Sequence, residues 1–138
     1  IAMDAFHKFI RTGIKANSYT DSHFQLMAAS QLTKDDLAIV ISHSGSNKDT
    51  LRILQVLKDS GAKMIGITGF PKSALSQNLD VALYTSSEET EYRPEAHASR
   101  IAQLSIIDAL YVNIMILNEH KAKASFEKVR TAISETRT

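Results

Sequence analysis

The sequence predicts an α/β fold built on a parallel sheet, and three observations predict it. Residues 37–41, 63–68 and 81–84 are short, mostly apolar runs of strand length, the first carrying Ile39, Val40 and Ile41 in succession. Between them lie stretches with helical spacing or single helical turns, and strands alternating with helical connections require crossovers and hence a parallel sheet. Where the first run ends, residues 42–47 (Ser-His-Ser-Gly-Ser-Asn) are almost wholly small and polar, at the strand end where open α/β sheets bind ligands.

The chain opens without an initiator methionine, and Ala2, Phe6, Phe9, Ile10 and Gly13 already fit the apolar face and end of a helix. It is therefore expected to begin inside an element, as a fragment or processed chain. Residues 14–19 are of mixed character, and Asp21 or Ser22 is placed to cap a helix through Phe24, Leu26, Met27 and Ala28. The run Leu37 to Ile41 is apolar throughout and is expected to be a strand buried on both faces.

From Lys48 onward Leu51, Leu54 and Leu57, with Ile53 and Val56, follow helical spacing, and Gly61 suits the helix C-terminus. Met64, Ile65 and Ile67 form the second strand, in which Gly66 permits close packing; Gly69-Phe70-Pro71 breaks it. A helical turn over residues 73–77 leads to the third strand. Pro94 suits the first position of a long helix reaching about Asn118. Its apolar residues cover more than one face, which predicts burial beneath the sheet or in a subunit interface. Ala122, Phe126, Val129 and Ile133 form a narrow apolar stripe on a last helix, which must dock on something.

Composition narrows the function classes. One domain spanning residues 1–138 is the simplest organisation. Sixteen basic residues against 15 acidic ones leave no overall footprint for nucleic acid or membrane. The absence of cysteine excludes disulfides, thiolate metal sites and a cysteine nucleophile. No apolar run is expected to reach the length of a membrane span and no signal peptide is evident, so a cytoplasmic protein is expected. His7, His23, His43, His97 and His120 have no paired ligand spacing, so no metal and no cofactor are expected. The nucleoside-triphosphate, dinucleotide and G-x-S-x-G hydrolase loops are all missing.

A phosphate is the ligand that fits. Backbone N–H groups and hydroxyls of residues 42–47, set before a helix N-terminus, favour an anion, although one cap residue there would suffice for a simple turn. The candidate phosphate-binding residues are Ser42, His43, Ser44, Gly45, Ser46 and Asn47, with Thr50 a further hydroxyl donor. The polar, acidic stretch after the third strand emerges at the same sheet edge. There Ser87, Glu88 and Glu89 are candidates to bind sugar hydroxyls, unless the stretch is only a solvated loop.

These segments carry a resemblance. Ser42-His43-Ser44-Gly45 with Asp49-Thr50, Ile67-Thr68 with Pro71-Lys72-Ser73, the stretch Ser87-Glu88-Glu89-Thr90-Glu91-Tyr92-Arg93, and Ser99-Arg100-Ile101-Ala102-Gln103-Leu104 resemble the sugar isomerase (SIS) domain over nearly the whole chain. The S-x-S-G loop is shared by the wider phosphosugar-binding group. The S-E-E-T-E-Y-R and S-R-I-A-Q-L segments resemble the RpiR/MurR-type bacterial transcription regulators.

The resemblance implies a three-layer αβα fold, flavodoxin- or Rossmann-like, with a five-stranded parallel sheet. It further implies a phosphosugar effector, a homodimer or higher homo-oligomer, and DNA contact only through a helix-turn-helix domain not found in this sequence. The family's first strand and its Gly/Ser loop are expected upstream of Ile1, and Asn47 stands where the family usually has threonine or serine. A regulator's sensing domain, not an enzyme, is the expected function. The alternative is an aldose–ketose sugar phosphate isomerase using Glu88 or Glu89 for proton transfer and His97 for ring opening.

Overall fold

A computed structural model describes residues 1–87 and 97–134 of the chain. They form two compact units, one from residues 19–87 and 97–103 and one from residues 1–18 with 104–134.

The first unit holds the sheet. Strands β1 (Leu37–Ile41), β2 (Lys63–Thr68) and β3 (Val81–Tyr84) run parallel in the order β1-β2-β3, with Ile39 opposite Ile65 and Gly66 opposite Ala82. Alternation along the strands sends Ala38, Val40 and Met64 to one face. There they meet helices α2 (Ser22–Gln31) and α3 (Lys48–Ser60), around a core of Ala29, Leu54, Leu57, Met64 and Leu75. Asp21 caps α2 by accepting from the N–H groups of His23 and Phe24, and α3 ends at Gly61.

The strand buried on both faces is β2 rather than β1. Ile67 is wholly buried, whereas β1 is half-buried and Leu37 is exposed. The cause is position: among the described residues β1 has a neighbour on one edge only, while β2 has two. Gly66 is where side-chain size matters in β2, because a Cβ there would lie 2.1 Å from Leu79 Cδ1. The helical turn predicted over residues 73–77 is a 3-10 turn at Ser76–Asn78. Asp80 fixes the start of β3: its carboxylate accepts from the Met64 N–H at 2.8 Å and from Lys63 Nζ at 3.1 Å.

In the second unit, α1 (Ala2–Arg11) buries Ala5 and Phe9, and α5 (Glu119–Ser134) buries Ala122 with Phe126 and Val129 half-buried. The stripe predicted on the last helix thus docks over its first turns, while Ile133 stays exposed. Of the two placements expected for helix α4 (His97–Leu117), burial within the chain accounts for only part of its apolar surface. Ile107 is wholly buried and Leu104, Leu110 and Ile114 are half-buried, but Val112, Ile116 and Leu117 are exposed.

By length and composition α4 also meets the requirement for a membrane span, contrary to the expectation that no apolar run would. Asp108 near its middle is ion-paired with Lys8 of α1, and a charge at mid-bilayer is costly.

Candidate functional site

The loop of residues 42–47 leaves β1, turns, and enters α3. It is held in place through its backbone. Ser42 N–H donates to Ile67 O at 3.0 Å; the His43 carbonyl accepts from Gly69 N–H at 3.0 Å and from Thr68 Oγ1 at 2.9 Å; the Gly45 carbonyl accepts from Leu75 N–H at 2.8 Å. These bonds from the β2 side fix the loop against the segment that follows β2. Gly45 is buried with φ +61°, and a Cβ there would stand 2.4 Å from Ser73 Oγ and 3.0 Å from Thr68 Oγ1. Only glycine meets both conditions.

The loop's hydroxyls divide into two sets. Ser42 Oγ is an internal hub that accepts from Gly45 N–H at 3.2 Å, from Asn47 Nδ2 at 3.3 Å and from Thr50 Oγ1 at 3.3 Å. Asn47 is the α3 cap, its Oδ1 accepting from Thr50 N–H at 2.8 Å. Ser44 and Ser46 are exposed and line a cleft of about 440 Å³, and among the described residues their hydroxyls have no protein partner. The N–H groups of Lys48 and Asp49, in the first turn of α3, likewise have no acceptor among the described residues, as expected at a helix start. Hydroxyls that face open space beside unpaired N–H groups and the positive end of a helix make an anion-accepting surface.

The sequence-predicted set is therefore brought together, with distinct roles. Ser44, Ser46 and the α3 N-terminus face outward, whereas Ser42, Asn47 and Thr50 shape the loop. The His43 ring packs over Gly69 and edge-on to Phe70, with centroids 5.3 Å apart, and its Nδ1 is buried without a partner among the described residues. Ser87 sits beyond the end of β3, on the sheet edge that carries the loop; it does not line the cleft, and its buried Oγ has no partner among the described residues. Glu88 and Glu89 lie outside the described residues. His97 is exposed at the first residue of α4.

Residue spacing alone did not disclose the far wall of the cleft. It is the turn Phe70-Pro71-Lys72-Ser73, closed by Ser73 N–H donating to Phe70 O at 3.0 Å. Its signal was present as a proline at the second position of a four-residue turn. Thr85 was also missed: it is buried, donates its N–H to Thr68 O at 3.0 Å, and keeps an Oγ1 without a partner among the described residues.

Known proteins resemble this chain over most of its length. The family model described as SIS domain matches residues 1–113. An uncharacterised HTH-type transcriptional regulator of Caldanaerobacter subterraneus is 43% identical over 112 residues, 81% of this chain and 40% of that protein. The HTH-type transcriptional regulator RpiR of Escherichia coli strain K12 is 33% identical over 128 residues, 93% of this chain and 43% of that protein. The chain spans less than half the length of these two relatives. Among solved structures, the Vibrio vulnificus NanR protein complexed with ManNAc-6P superposes with a TM-score of 0.86 at 23% identity, over 97% of this chain and 50% of that one. That likeness establishes the αβα architecture expected from the sequence.

Proposed function

The chain belongs to the SIS domain family, and on that premise we propose that residues 1–138 are the phosphosugar-binding effector domain of an RpiR-type bacterial transcriptional regulator of carbohydrate metabolism. The observation that carries the proposal is the outward-facing pair Ser44 and Ser46 beside the unpaired N–H groups that open α3. A phosphate there accepts from hydroxyls and backbone together, and the sugar extends along the sheet edge toward Ser87. The ManNAc-6P of the NanR complex is a ligand of this class.

The regulator names of the sequence relatives favour sensing over turnover, and no catalytic residue is assigned to this chain. In this reading effector binding favours one arrangement of a homodimer or higher homo-oligomer, and DNA contact is made by a helix-turn-helix domain of the longer protein in the cytoplasm. The exposed apolar side chains of α4 support self-association.

A thermal-shift panel of sugar phosphates tests the proposal, since a ligand that binds only the folded state raises its stability by mass action. At least one member should raise the midpoint, Ser44→Ala should diminish the rise, and no member should be isomerised. No shift from any member refutes the proposal; isomerisation lost on Glu88→Gln or Glu89→Gln makes the chain an enzyme instead.

A further inference from the structure

The wall of the cleft opposite Ser44 and Ser46 carries the one charged side chain among the described residues that line it, Lys72. It lies on a turn whose backbone is fixed. Pro71 presets φ at the second position of the turn. Ser73 N–H closes the turn onto Phe70 O, Phe70 N–H donates to Thr68 Oγ1 at 3.3 Å, and Ser73 Oγ accepts from Ser76 N–H at 3.2 Å. The turn is also seated on the serine loop, because Ser73 occupies the space a side chain at Gly45 would need and Leu75 N–H donates to the Gly45 carbonyl. The Lys72 backbone is thus held at a set distance from Ser44 and Ser46. Lys72 itself is exposed and has no hydrogen bond or ion pair among the described residues.

We propose that Lys72 is the charge-selecting residue of the site, its ammonium pairing with the phosphate that Ser44 and Ser46 hold, so that the cleft prefers a dianionic phosphomonoester to uncharged or singly charged sugars. The proposal rests on the phosphosugar reading above. Hydroxyls and the N–H groups of a helix start favour an anion, but they bring only partial charge to it. A cation adds charge-assisted bonds that deepen with the ligand's charge. The compact ammonium on its flexible stem suits a tetrahedral phosphate approached from one side. Among the described residues, Lys48 and Asp49 at the start of α3 carry opposite charges, and neither lines the cleft.

Calorimetric titration tests this, with fructose 6-phosphate, arabinose 5-phosphate and N-acetylmannosamine 6-phosphate as probes and inorganic phosphate as competitor, at low and at physiological salt. For whichever probe binds, Lys72→Gln should weaken affinity about tenfold or more and flatten its salt dependence. Lys72→Arg should restore most of the affinity, and the thermal midpoint of the unliganded variants should not move. Equal affinity and equal salt dependence for Lys72→Gln, with Ser44→Ala still weakening binding, overturns the role of Lys72 and leaves the phosphosugar reading standing. Failure of the wild-type chain to bind any probe overturns both.

Discussion

Gly45 is the residue on which the loop's shape depends most. Its φ is +61°, and a methyl group added there would stand only 2.4 Å from Ser73 Oγ, so Gly45→Ala must both strain the backbone and push the 70–73 turn away. The expected cost is about 1–3 kcal/mol of stability by chemical denaturation, with sugar phosphate affinity falling further than stability because both walls of the cleft move. Wild-type stability and affinity in Gly45→Ala would show that the turn and loop are not coupled as described. At this scale the sequence was informative about residue type and silent about role. Three serines and an asparagine in six positions signalled an anion site. That Ser42 would face inward as a hub while Ser44 and Ser46 face the cleft depends on hydrogen bonds to β2 and its following segment, which lie 25 and more positions away in sequence.

The elements were mostly legible because their signals are local. Asp21, one of the two residues expected to cap α2, does so, and Gly61 ends α3 as expected, since capping depends on a few adjacent residues. Relative burial of strands was not legible: β1 and β2 have similarly apolar sequences, and only neighbour count separates them. Asp80 illustrates an element-scale contact that spacing could not show, since it joins the start of β3 to the start of β2. The Met64 N–H first, then the Lys63 ammonium, hold its carboxyl below the usual carboxylate range. A depressed folded-state pKa gives stability that is present above the unfolded value and is lost as pH falls through the folded one. The wild-type chain should therefore lose thermal stability on the acid side of the carboxylate range, and Asp80→Asn should flatten that limb. An unchanged acid limb in Asp80→Asn would remove Asp80 as its source.

At the scale of the whole molecule, the exposed apolar residues of α4 bear on assembly. Ile116 is 69% and Leu117 80% exposed, on a helix whose sequence predicted burial. Large apolar side chains left in water are candidates for an association surface, and the sequence could not say whether sheet or subunit would cover them because periodicity reports apolarity and not neighbours. Sedimentation equilibrium should give a dimer or larger species, and Ile116→Lys should shift it toward monomer; a monomeric wild-type chain at micromolar concentration would contradict the proposed assembly. The central claim, that a sugar phosphate binds with its phosphate on the serine loop at the start of α3, has a direct measurement. In an amide NMR titration of the chain with the sugar phosphates named above, one of them should move the signals of residues 44–50 and 70–73 first and furthest, and Ser44→Ala should reduce that response. Shifts confined to other parts of the chain, or none at saturating concentrations of every sugar phosphate, would contradict it.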